Sequence, residues 1–103
     1  MTIGAWLRER APAPPQLTAH VAHALRDRVD APMEEAVDAL VDSAERLLAE
    51  VIERPSAGRE TALDLLTVDA LVTYAFEAAS ARPETLATEA STAMRRLARL
   101  AAP

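Results

Sequence analysis

Hydrophobic positions in this chain recur at three- and four-residue intervals from end to end, and no stretch alternates strictly, so the pattern predicts helices and no strands. The longest and most apolar of them runs from Ala57 to Ala81 (AGRETALDLLTVDALVTYAFEAASA), with Ser56 as its expected N-cap. Stepping 100° per residue gathers Leu66, Asp69, Thr73, Glu77 and Ser80 into one narrow, mainly polar stripe. Nearly everything else is apolar: Leu63, Ala70, Leu71, Tyr74 and Ala78 on one flank, Leu65, Val68, Val72, Phe76 and Ala79 on the other. Asp64 is the exception, near the N-terminal end where the helix dipole favours a carboxylate. The apolar arc covers ~250°, whereas an ordinary surface helix needs ~100°. This helix therefore requires neighbours on more than one side.

The other elements are more conventional. Thr2 to Ala11 reads as a short amphipathic helix with Thr2 as N-cap and Ile3, Trp6 and Leu7 on one face; it must dock to be stable. Residues 12–15 form a Pro-rich connector, and the PxxP spacing of Pro12 and Pro15 reads as a spacer. A second helix is expected over Pro15–Val29, with Leu17, Val21, Leu25 and Val29 sharing a face. A third, Pro32–Arg54, carries the heptad-like seam Met33, Val37, Leu40, Ala44, Leu47, Val51. The last starts at Pro83, with Leu86, Ala90, Ala93, Leu97 and Leu100 on one stripe. The short link before it leaves open whether the chain turns back or continues as a kinked helix. The expected fold is all-α: one domain over 1–103, an antiparallel four-helix bundle (15–102) with a short extra N-terminal helix (1–11).

Composition narrows the chemistry. The chain has no Cys, no Lys and no Asn, and all eleven basic residues are Arg. Thiolate chemistry, a Schiff-base lysine and a P-loop lysine are thereby excluded. Two glycines, Gly4 and Gly58, cannot make a phosphate-cradling loop. Ala supplies 24 residues, which favours helix and close helix approach. The longest uncharged run in the central helix, Ala70–Phe76, is far short of a membrane span, and the N-terminal MTIGAWLRER lacks the apolar region of a signal peptide. A net charge of −5 weighs against a nucleic-acid partner.

Four groups of residues invite a functional reading. His20 and His23, with Asp27 further on, have a metal-like spacing, but the two imidazoles point in different directions and are read as ordinary surface histidines. Asp69 and Glu77 lie two turns apart, too far to share a proton or metal, and are read as facing water. Arg95, Arg96 and Arg99 form a basic cluster that complements the C-terminal dipole of the last helix, with no aromatic residue between them to stack on bases. Trp6 is a docking anchor for the short helix or a hot spot for a partner.

The sequence thus points to a cytoplasmic, non-catalytic protein–protein interaction module, a self-associating adaptor or regulator. It is expected to be a homodimer, with a second protein partner left open, and with no cofactor, metal, nucleic acid or membrane. The partner-binding residues would be Trp6, Leu65, Val72 and Phe76, because an uncovered flank of the central helix would be a large apolar patch. The alternative is a bundle that binds a small apolar ligand or a metal in its core.

Overall fold

The computed structural model describes residues 1–10, 13–54, 58–81 and 83–101, and side chains for all of these except 83 and 84. The described elements are α1 (Ile3–Arg8), α2 (Pro15–Leu25), α3 (Ala36–Ile52), α4 (Arg59–Ala79) and α5 (Pro83–Ala101). Two short 3-10 segments, Arg26–Asp30 and Met33–Glu35, join α2 to α3. The fold is all-α. The only β-type pairing among the described residues is a single bridge between Thr2 and Pro32.

The antiparallel pair α3 and α4 forms the centre. Its contact surface is built from small residues: Ala36, Ala39, Ala44 and Ala75 surround the fully buried Leu40 and Leu71. Small side chains let the two axes approach closely. The seam read from the spacing of α3 is thus buried at Leu40 and Ala44, while Val37, Leu47 and Val51 at its edges are half-buried. α2 packs on one side of the pair and α5 on the other. Ala93 and Leu97 of α5 line the same tight seam as Val41 of α3 and Val72, Phe76 and Ala79 of α4. The chain therefore turns back between α4 and α5, so α5 runs antiparallel to α4 and parallel to α3.

α5 also resolves the wide apolar arc of α4. Val72 and Phe76 are half-buried beneath it, and Tyr74, on the opposite flank, meets Trp6 of α1. The uncovered flank on which the expected dimer surface rested is covered within the chain at Val72 and Phe76. Leu65 and Leu66, nearer the start of α4, are 46% and 57% exposed, and Ile52 at the end of α3 is 53% exposed. The stripe Asp69, Thr73, Glu77 and Ser80 faces water, as its composition indicates.

Several expectations are corrected. α2 stops at Leu25 instead of Val29, because Arg26 adopts φ 56°, ψ −133° and throws the chain into a 3-10 segment. That turn carries Val29 under Gly4 of α1. The third helix begins with a 3-10 turn and is α-helical only from Ala36 to Ile52. Asp64, in the N-terminal part of α4, has a partner the helical angles do not show: it is buried and ion-paired with Arg54, just beyond the end of α3. Ser56, the expected cap of α4, lies outside the described residues.

α1 docks as its length demands. Thr2 caps it, its hydroxyl accepting a hydrogen bond from the Ala5 amide at 3.1 Å. Ile3 is fully buried in the main core. The bridge staples the N-terminus in place: the Ile3 amide donates to the Ala31 carbonyl at 2.9 Å and the Met33 amide to the Met1 carbonyl at 3.2 Å.

Candidate functional site

Docking α1 beside α2 leaves a groove of about 660 Å³ between them. Its buried and half-buried lining comes from Leu7 of α1, Leu17 and Val21 of α2, Val29 of the 3-10 segment and Tyr74 of α4. Its mouth is marked by the exposed Thr18, Ala19 and Ala22 along α2, so the groove is open along its length and is not an enclosed cavity. Among the described residues, Arg8 and Arg10 are the only ionisable ones lining it besides the Tyr74 phenol, and no carboxylate does.

The two arginines are held differently. Arg10 stacks over the Trp6 ring at 4.5 Å and reaches Glu77 at 3.4 Å. Trp6 meets Tyr74 edge-on, with ring centroids 6.1 Å apart. Trp6, Tyr74, Arg10 and Glu77 thus form a continuous brace that fixes α1 on α4. Arg8 makes no ion pair among the described residues. A Cβ placed on Gly4 would lie 3.7 Å from its Nη1, so the guanidinium folds back along the groove wall.

A second, polar cavity of about 90 Å³ lies where α2 crosses the α3–α4 pair. His20, His23, Ser43, Glu50, Asp64 and Thr67 contribute to it. Thr67 donates its hydroxyl proton to the Leu63 carbonyl at 2.8 Å, whereas the Ser43 hydroxyl, 1% exposed, has no hydrogen-bond partner among the described residues. The His20 Nδ1 lies 2.9 Å from the Gln16 carbonyl and donates to it. Neither imidazole is hydrogen-bonded to Ser43, and Asp64 is committed to Arg54, so the parts of a nucleophile–base–orienter chain are near one another but not connected. Among the described residues no three His, Asp or Glu side chains converge as metal ligands.

The basic cluster of α5 divides. Arg95 and Arg99 are exposed, while Arg96 turns onto α3, with Nη2 at 2.9 Å from Glu45 and 3.3 Å from Asp42, and Nη1 at 3.5 Å from Asp38. The hydrogen bond to Glu45, with the charges of Glu45, Asp38 and Asp42, holds the Arg96 guanidinium above its ordinary pKa against the opposing effect of burial. A raised arginine pKa contributes stability that is fully present below the ordinary value and lost only as pH rises beyond it, so Arg96 clamps α5 to α3 throughout the physiological range.

Of the four residues expected at a partner surface, Leu65 is exposed, Val72 and Phe76 lie beneath α5, and Trp6 is half-buried in the brace. The structure does not bring the four into one patch. The groove residues Leu7, Arg8, Leu17 and Val21 were not singled out from sequence as a site. No local signal marked them, because the groove depends on where the short α1 docks.

Compared with protein-family models, curated proteins and solved structures, the chain matches none.

Proposed function

We propose that this protein is a small helical protein–protein interaction module and that the groove between α1 and α2 is its docking surface. The observation that carries the reading is the open, apolar groove of about 660 Å³ with a cationic rim. An apolar trough exposed along its whole length suits a partner segment that lies in it, as in helix-in-groove recognition. Affinity capture from the native host tests this, with wild type and an Ala22→Trp variant that fills the groove mouth as baits. A partner held by wild type and lost by the variant supports the reading; identical capture by both overturns it.

A second reading, self-association, is favoured by the exposed Ile52, Leu65 and Leu66 near the α3–α4 connection. Two copies meeting there would bury the same apolar side chains twice. Sedimentation at micromolar concentration tests it: a dimer that Leu65→Glu dissociates without loss of helicity supports it, and a concentration-independent monomer removes it.

A further inference from the structure

We infer that the occupant of the groove is a short amphipathic helix of a partner protein, with an apolar stripe flanked by acidic residues. The inference rests on the docking role proposed above and names the partner chemistry.

Three features of the groove carry it. The first is length. Its lining on α2 extends from Pro15 to Ala22, seven residue steps or ~10 Å along the axis. A helix that anchors through positions i, i+3 or i+4, and i+7 spans the same distance. The second is shape. Ala19 and Ala22, exposed along α2, leave room for a second helix to approach closely, and the open mouth gives it access from solvent. An alkyl chain in the same place would stay in contact with water along one side, which removes much of the benefit of burying it. The third is charge. The protein as a whole carries −5, yet among the described residues the groove is lined by two arginines and no carboxylate. Screening limits charge effects to ~8 Å at physiological ionic strength, so the near charges decide: Glu9, Asp69 and Glu77 line the adjoining hollow beyond Arg10, Glu77 is already paired with Arg10, and Arg8 is the charge left to a docked segment. Arg8, without an ion pair of its own among the described residues, can take a carboxylate without breaking an existing contact. Arg10 is already shared between Trp6 and Glu77.

The test is a selection from a displayed library of peptides of about 16 residues. The folded full-length protein is the target, with counter-selection against Ala22→Trp. The expected result is enrichment of sequences with apolar residues at i, i+3 or i+4, and i+7 and with Asp or Glu on either side of that stripe. Binding of the best synthetic peptide, read by fluorescence polarisation, should weaken roughly fivefold or more in Arg8→Glu. Arg8 is exposed, so the reversal leaves the fold intact, which circular dichroism checks. If Ala22→Trp does not fold, Ala19→Trp replaces it at the same mouth. The inference is overturned if no sequence is enriched over the filled variant, if the enriched flanks are neutral or basic, or if Arg8→Glu binds as well as wild type. It is also overturned if the protein dimerises and the dimer is lost on filling the groove, since the occupant is then a second copy. Capture of a groove-dependent host partner together with a failed peptide selection would leave the docking role standing and reject only the acidic helix.

Discussion

Arg26 is the one described residue other than glycine with positive φ. Its φ of 56° with ψ −133° is a conformation glycine adopts readily and an L side chain does not. Such strain costs about 1–3 kcal/mol, and glycine adds ~0.5–1 kcal/mol of unfolded-state entropy, so relief exceeds the penalty. Arg26→Gly is expected to stabilise the protein by about 1 kcal/mol, roughly 5 °C in melting temperature. The measurement is thermal unfolding followed by circular dichroism; a lower melting temperature would show that Arg26 makes a compensating contact. No sequence signal marked this position. A turn is normally announced by Gly, Asn or Pro, and here an arginine sits inside a continuing three- and four-residue apolar spacing, Val21, Leu25, Val29. A 3-10 segment keeps Val29 close enough to the α-helical face for the period to read through the break. The ion pair of Asp64 is illegible for a related reason: its partner Arg54 is brought to it by the α3–α4 hairpin, and no helical angle within α4 reveals that.

At the level of elements, α4 was legible as a helix that needs several neighbours, and the angular reading identified both of its apolar flanks. It could not say which elements cover them. The stripe of α5 looked sufficient for one contact only, because alanines at 90 and 93 carry little hydrophobicity by count; they let α5 sit close enough to reach Val72 and Phe76. The two ends of that flank should respond oppositely to charge. Val72→Glu places a carboxylate beneath α5 and is expected to lower stability by about 2 kcal/mol or more, read from the urea midpoint. Leu65→Glu, at an exposed position, should stay within about 0.5 kcal/mol of wild type. Equal effects would mean that α5 does not cover Val72 in solution. The contact of α1 has its own test. A Cβ on Gly4 would lie 3.0 Å from the Val29 carbonyl oxygen, tighter than normal packing allows. Gly4→Ala should therefore weaken docking of α1 despite a helix-propensity gain of up to ~1 kcal/mol, and shift Trp6 fluorescence toward that of a solvated indole.

For the molecule as a whole, the all-α architecture followed from periodicity, whereas the groove did not. It exists because the bridge between Thr2 and Pro32 holds a six-residue helix alongside α2, and pairings between residues thirty positions apart leave no trace in a local pattern. That bridge has a kinetic consequence. α3 and α4 are joined by a short connection and share the largest interface, so their hairpin can persist while α1 is released. Local opening of this kind costs less than global unfolding. Amide protons of Trp6 and Leu7 are expected to exchange with deuterium well before those of Leu40 and Leu71, and equal protection would show that α1 unfolds only with the whole. One wall of the groove is thus held less firmly than the hairpin, and a molecule bound between α1 and α2 would slow α1 exchange first, registering its arrival as a local gain in protection while the hairpin behind it stays unchanged.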